Sequence, residues 1–177
     1  MNQTIFEFIY MVGSASAAGR YFSIFFAKYL IFILIGVFIW LLFVQSLSGK
    51  HKFYLVSALT LSFILGLGIL VPLINSLIPN ERPFLELGVE SLIAHEASSS
   101  MPSRHMMFTV PLALSAFYLS KRAGQWFVIG VVLIGLGRIG AGVHWPLDIL
   151  AGLALGTLTF YTSVFLLKKG GIDVKKS

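Results

Sequence analysis

The sequence predicts an all-α membrane protein, a multi-pass helical bundle of about five transmembrane spans. Hydrophobic residues make up 57% of the 177 residues, charged residues make up 11%, and mean hydropathy is +0.90. Ordinary soluble domains carry about 25% charged residues, and a helix needs about 20 apolar residues to cross a bilayer. Five uncharged runs approach or exceed that length, over residues 29–49, 53–80, 106–120, 123–137 and 149–167.

An N-terminal segment of a different kind precedes the spans. Residues 1–12 are largely apolar but too few to span, and residues 13–19 are all small. We expect residues 1–19 to form an interfacial or re-entrant helix, with a mobile chain terminus as the alternative. Residues 20–168 are predicted to form the transmembrane domain, and residues 169–177 a polar cytoplasmic tail. The third and fourth spans are short, so we expect His105 and Arg138 at their ends to be covered by protein.

The basic residues predict the orientation. Lys50 and Lys52 form a short basic turn between the first two spans, which the positive-inside rule places in the cytoplasm. Counting spans from this turn puts three further basic pairs on the same side, namely Lys121–Arg122, Lys168–Lys169 and Lys175–Lys176. The C-terminus is therefore expected in the cytoplasm of a cell or inner membrane. The long loop from Asn80 to Arg104 and the turn from Gly140 to Trp145 are expected on the extracytoplasmic side.

Charge and cysteine content exclude several classes of function. The net charge is +6, but the basic residues stand at the ends of apolar runs and form no soluble basic face, so no nucleic-acid partner is expected. The chain contains no cysteine, which excludes disulfides, thiolate metal sites and a cysteine nucleophile. The N-terminus lacks the pattern of a cleaved signal peptide, so we expect it to be retained. No oligomeric state follows from the sequence.

Three polar clusters interrupt the apolar pattern, all on the predicted outer side. His144 and Asp148 are four residues apart, so a helix that restarts near Pro146 lets the carboxylate reach the imidazole. Such a pair is a nucleophile or base with its orienting acid. Ser103 is a candidate helix cap, which would leave backbone N–H groups for an anion. The remaining members are Arg82, Arg104, His105 and Arg138. Together they predict an anion held beside an activated histidine.

These clusters resemble the signature of the type 2 phosphatidic acid phosphatase superfamily, which contains lipid phosphatases and related acid phosphatases. Its three parts are Lys-x6-Arg-Pro, Pro-Ser-Gly-His and Ser-Arg-x5-His-x3-Asp. The corresponding segments here begin at Asn75, Pro102 and Gly137, and their spacing matches throughout. Asn75 stands in the lysine position, Arg104 in the glycine position and Gly137 in the serine position. Within the superfamily, the chain looks most like small bacterial undecaprenyl-diphosphatases.

The resemblance implies a mechanism without a metal or other cofactor. His144 attacks the terminal phosphorus of a polyprenyl diphosphate to give a phosphohistidine, Asp148 orients it, and His105 protonates the leaving oxygen and then activates water. The residues expected to bind the substrate are Arg82, Arg138, Ser103, Arg104 and Asn75. Converging arginines also repel a divalent cation, which argues against a metal site built from the two histidines and the aspartate.

Several alternatives remain open at this point. Other members of the superfamily act on phosphatidylglycerophosphate, phosphatidate or lipid A phosphate, and they share the same signature. A different class of function is a small transporter with an intramembrane His–Asp pair. Another is a phosphatase-like fold that binds a lipid phosphate without turning it over.

Overall fold

The computed structural model describes residues 1–96 and 98–172, and all regular structure in these ranges is helical. The predicted tail falls mostly outside the described residues, including Lys175 and Lys176. The helices in chain order are α1 (Asn2–Ser14), α2 (Ala17–Val44), α3 (Gly49–Leu77), α4 (Pro83–Glu86), α5 (Arg104–Leu119), α6 (Lys121–Gly140) and α7 (Pro146–Lys169).

Four of these helices are long and apolar enough to cross a membrane, counting only the described part of the chain. They are α2, α3, α6 and α7, with 28, 29, 20 and 24 residues. The predicted third span is α5, which has 16 residues and packs against α2, α3, α6 and α7. At 1.5 Å per residue its length is about 24 Å, which is shorter than the hydrocarbon core. The all-α membrane bundle is confirmed, with α5 as its buried central helix.

Side-chain caps explain where several helices begin. The hydroxyl of Ser16 accepts from the backbone N–H of Gly19 at the start of α2, and Ser48 caps α3 in the same way. Ser120 alone separates α5 from α6, and its hydroxyl accepts from the N–H of Ala123. A serine can close one helix and cap the next within a single residue, so α5 and α6 form a tight hairpin.

The N-terminal segment forms helix α1, which packs on α6 and α7 and is not a free terminus. The ring of Phe6 is fully buried and lies 5.0 Å from the ring of Trp145, between centroids. The hydroxyl of Tyr10 donates to the carbonyl oxygen of Glu90, and the side chain of Asn2 accepts from the N–H of Leu147. Helix α1 therefore supports the long loop and the turn before α7. Its position at the membrane interface stays a prediction.

Candidate active site

The predicted His–Asp pair lies where α6 connects to α7, with His144 in the turn and Asp148 in the first turn of α7. Gly142 adopts a φ of +80°, which L side chains rarely tolerate, and Pro146 begins α7. Nδ1 of His144 lies 3.3 Å from Oδ2 of Asp148, and the side chains are 2% and 0% exposed. The backbone N–H of Trp145 donates to the same carboxylate oxygen at 2.8 Å. Since Nδ1 faces the carboxylate, Nε2 is the ring nitrogen of His144 that points away from Oδ2 of Asp148, and a hydrogen bond to the backbone of Ser100 also acts on the imidazole.

The second carboxylate oxygen of Asp148 has a partner that the sequence did not indicate. The amide of Asn80 lies 3.3 Å from Oδ1 of Asp148 and 2.8 Å from the hydroxyl of Ser100, donating to both. The backbone N–H of Ser100 donates back to the carbonyl oxygen of Asn80. Asn80 thus holds one carboxylate oxygen of Asp148, and His144 contacts the other. Both residues are neutral loop residues without a motif of their own, so only their position next to the predicted clusters could have suggested them.

Arg82 joins the long loop to the turn between α6 and α7. It is 3% exposed, and it donates from Nη1 to the carbonyl oxygen of Val143 at 2.8 Å and from Nη2 to that of Ser99 at 3.0 Å. Its Nε has no hydrogen-bond partner. Burial lowers the pKa of Arg82 to about 10, against the attraction of Asp148, so the guanidinium remains charged at neutral pH.

Arg138 enters from the end of α6, as predicted, and carries more unsatisfied donors. It is 2% exposed, and Nη1 donates to the carbonyl oxygen of Ala27 at 3.3 Å, in the π-helical turn of α2. Nε and Nη2 have no partner. Buried guanidinium N–H groups without acceptors are costly, because each loses its hydration without replacement. Burial, followed by the positive charges of Arg138 and Arg82, holds the pKa of His144 well below its usual range.

Ser103 takes the N-cap position of α5 but does not cap it as predicted. Its hydroxyl makes no bond to the helix N–H groups, is fully buried and has no partner. Instead its backbone N–H donates to the carbonyl oxygen of Asp148 at 3.1 Å, which joins the starts of α5 and α7. A contact between this hydroxyl and substrate stays a prediction.

His105 and Arg104 border a cavity of about 460 Å³ at the start of α5. The other lining residues are Ile31 of α2, Leu67 of α3 and Phe108. Arg104 is exposed and His105 is half-buried. Charge interactions link His105 to Arg138, His144 and Arg82. His105 thus borders a largely apolar recess and interacts by charge with the buried Arg82 and Arg138.

Asn75 is the one predicted site residue that no described contact joins to the others. It lies in the last turns of α3, half-buried, with its Oδ1 lacking a partner. The asparagine that reaches the His–Asp pair is Asn80. A contact between Asn75 and substrate stays a prediction.

His95 is a further residue that the sequence interpretation missed. It lies in the connection between α4 and α5, and its ring is 6.1 Å from that of His144, between centroids. Despite three histidines and an aspartate in this region, no group of three or more His, Asp or Glu side chains within the described ranges is placed to hold a metal ion.

The sequence of this chain matches a known protein family. The family model described as PAP2 superfamily matches residues 52–170, which is more than half of the chain and includes all three clusters. The chain belongs to the PAP2 superfamily. The superfamily and the all-α membrane fold predicted from the sequence are confirmed, and the phosphatase class implied by the resemblance is confirmed with them.

Individual PAP2 relatives cover most of the chain. Bacitracin transport permease protein BcrC of Bacillus licheniformis is 30% identical over 161 residues, covering 90% of this chain and 77% of that protein. Undecaprenyl-diphosphatase BcrC of Bacillus subtilis (strain 168) is 28% identical over 164 residues, covering 89% and 80%. The crystal structure of Aquifex aeolicus LpxE superposes with a TM-score of 0.67 at 24% identity, covering 93% and 94%, and shows the shared fold.

The structure explains one departure from the PAP2 signature. Gly137 stands where the signature has serine, and a Cβ at this position would lie 2.7 Å from the backbone nitrogen of Ala27 and 2.7 Å from Cβ of Phe26. Helix α2 therefore approaches α6 backbone to backbone, next to Arg138. Glycine at 137 permits the contact that holds Arg138 by the carbonyl oxygen of Ala27.

Proposed function

We propose that this PAP2 protein hydrolyses the terminal phosphate of a polyprenyl diphosphate, of the undecaprenyl type, through a phosphohistidine at His144. The observation that carries the proposal is the juxtaposition of the buried His144–Asp148 pair with buried donors that lack partners. Those donors are Nε of Arg82, Nε and Nη2 of Arg138, and the hydroxyl of Ser103. A phosphoryl group satisfies them, because its three equatorial oxygens gain negative charge in the transition state.

His144 has the properties of a nucleophile in this setting. Only the neutral imidazole has a lone pair for attack, and the depressed pKa of His144 keeps it neutral at physiological pH. Asp148 accepts the Nδ1 hydrogen, which directs Nε2 to phosphorus and stabilises the imidazolium as the N–P bond forms. The bond between phosphorus and the bridging oxygen breaks in the same step, and the lipid monophosphate leaves.

His105 supplies the proton transfers on the opposite side of phosphorus. In the first step it gives a proton to the leaving oxygen of the lipid monophosphate. In the second step it takes a proton from water, which attacks the phosphohistidine and releases inorganic phosphate and free His144. Its place at the edge of the apolar recess supports this assignment, since the leaving group carries the lipid chain.

The recess beside His105 favours a lipid over a soluble phosphate ester. Ile31, Leu67 and Phe108 provide apolar walls between α2 and α3, so a chain lying in the bilayer can reach the site sideways. We assign Arg104, at the rim, to the phosphate that remains on the lipid, which is the feature that separates a diphosphate from a monophosphate. The site then opens on the extracytoplasmic face, with the C-terminus in the cytoplasm.

Phosphate release by the purified full-length protein in detergent tests the proposal. We expect faster turnover of undecaprenyl diphosphate than of phosphatidylglycerophosphate, phosphatidate or lipid A, loss of turnover in His144→Ala, and no loss in the matched control His51→Ala. Activity in detergent without any ion gradient also separates an enzyme from the transporter class. Full activity of His144→Ala, or preference for one of the other lipids, would contradict the mechanism or the substrate respectively.

Trapping the intermediate tests the two histidines separately. With p-nitrophenyl phosphate, whose leaving group needs no proton, His105→Asn should still transfer the phosphoryl group but hydrolyse the intermediate slowly. We expect an acid-labile, base-stable phosphoprotein to accumulate in this variant and to be absent from His144→Ala. A phosphoprotein that forms equally without His144 would exclude that residue as the nucleophile.

A further inference from the structure

A third histidine, His95, lies next to the proposed nucleophile, although no part of the superfamily signature contains it. It belongs to the connection between α4 and α5, residues 87–103. The centroid of its ring is 6.1 Å from that of His144, and the two ring planes meet at 82°. The ring is half-buried, and a charge on it acts on His144.

One ring nitrogen of His95 is already occupied. Nδ1 lies 3.3 Å from the backbone carbonyl oxygen of Glu96, and because a carbonyl oxygen can only accept, Nδ1 carries the proton in this contact. The neutral ring then has an unprotonated Nε2, which accepts hydrogen bonds. Phosphoryl oxygens also accept, so a neutral His95 has no free donor for a phosphate. Protonation turns Nε2 into a charge-assisted donor.

The surroundings keep His95 neutral while no anion is bound. Burial, followed by the positive charges of Arg82 and Arg138, lowers the pKa of His95 to about 4, although the bond to the Glu96 carbonyl opposes this. Ionisable groups face the site from every element around it. They are Arg82 before α4, Arg104 and His105 of α5, Arg138 of α6, His144 of the turn and Asp148 of α7. The net charge of these groups is positive, and a bound anion offsets it.

We propose, on the basis of the function proposed above, that His95 is a further phosphate-binding residue that takes up a proton when the phosphoryl group enters and donates Nε2–H to an equatorial oxygen. In-line transfer places the leaving oxygen, and later the attacking water, on the side of phosphorus opposite His144. His95 lies beside His144, so its ring reaches equatorial oxygens, whereas His105 serves the apical ones. The proton comes from solvent on binding and returns to solvent on phosphate release.

The proposal gives anion binding a defined dependence on pH. A bound anion attracts the imidazolium, so the pKa of His95 is higher in the complex than in the empty site. Between these two pKa values, binding takes up one proton at His95, and affinity therefore rises as pH falls. At a pH above the pKa that His95 has in the complex, His95 takes up no proton and its contribution to anion affinity is lost.

Sulfate is the probe that isolates this proton. It has the shape and charge of a phosphate dianion but carries no proton across the range in which imidazole titrates. The full-length protein in detergent is used, and the Kd for sulfate is measured by calorimetry at several pH values. The variants are His95→Gln, whose amide lies near the position of Nε2, and His95→Asn, whose amide lies near that of Nδ1. His51→Gln, at the start of α3, is the matched control.

We expect His95→Gln to bind sulfate nearly as well as the wild type at neutral pH, but with a shallower pH dependence. We expect His95→Asn to raise the Kd about tenfold or more, which is the usual effect of losing a hydrogen bond to a charged group. His51→Gln should match the wild type.

Equal pH dependence in the wild type and His95→Gln would overturn the proton uptake. Normal binding by His95→Asn with a loss in His95→Gln would assign His95 a structural bond to Glu96 instead. Phosphate release by the wild type on the same preparation tests the proposed function separately. An active wild type whose His95 variants all bind sulfate alike contradicts only the role of His95.

Discussion

Replacing Gly137 by serine should lower both stability and activity, although serine is the residue of the PAP2 signature at this position. The new Cβ would lie 2.7 Å from the backbone nitrogen of Ala27 and 2.7 Å from Cβ of Phe26. Neither atom can turn aside like the end of a flexible side chain, so helix α2 must move away from α6. The carbonyl oxygen of Ala27 moves with it, and its 3.3 Å contact with Nη1 of Arg138 is lost.

The size of the effect follows from these contacts. Overpacking a close contact costs about 1–3 kcal/mol, which corresponds to a fall in Tm of about 2–12 °C for a chain of this size. A guanidinium displaced by about 1 Å from the transferred phosphoryl group lowers kcat/KM by about tenfold to a hundredfold. Arg138 loses the bond that orients it, so we expect kcat/KM to fall together with Tm.

The assay compares thermal unfolding and phosphate release in detergent for Gly137→Ser and Gly36→Ser. Gly36 also lies on a membrane-spanning helix, α2, but a Cβ there meets no atom within 4 Å. It therefore controls for the intrinsic effect of serine in a helix. If Gly137→Ser melts and turns over like Gly36→Ser, the close approach of α2 to α6 does not hold Arg138, and the explanation of this departure is wrong.

Three further predictions address the His–Asp pair. Asp148→Asn keeps the shape of the side chain but removes its charge and replaces one of its two acceptor oxygens by an NH2 donor, although both oxygens accept in the wild type. We expect kcat to fall on the order of 10³-fold or more, measured by single-turnover kinetics. A fall below tenfold would argue against orientation by Asp148. Asn80→Ala removes the donor to Oδ1 of Asp148, so kcat should fall about fivefold with little change in KM. A change confined to KM would place Asn80 in substrate binding instead. Because the pKa of His144 is depressed in the empty enzyme, it stays neutral as pH falls through the ordinary imidazole range. Its acid limb in kcat/KM should therefore lie well below about pH 6.5; a limb at that value would show an unperturbed nucleophile.

The fold class could be predicted because a bilayer leaves a chain few choices. Backbone groups in lipid must pair within the chain, so long apolar runs become helices whatever their neighbours are. The fate of residues 106–120 could not be predicted in the same way. Hydropathy is the same for a helix that faces lipid and for one that faces other helices, and only packing shows that α5 is surrounded by α2, α3, α6 and α7.

Some residues of the candidate site could also be predicted from local sequence patterns, and others could not. The sequence by itself determined the pairing of His144 with Asp148 and the presence of Arg82, Arg138 and Ser103, because local spacing and the cost of burying charge leave a visible pattern. Only the tertiary structure decided which neutral loop residues complete the site. Asn80, Ser100 and His95 reach it across long sequence separations, and their residue types are ordinary for a surface loop.

The same reason applies to Gly137. The sequence shows only that the hydroxyl of the signature serine is absent at this position, because glycine has no side chain whose type would indicate its surroundings. In the folded chain it is the position where α2 and α6 meet closely enough to hold Arg138. Local patterns thus specified the chemistry of this protein, and contacts between distant segments specified how that chemistry is held.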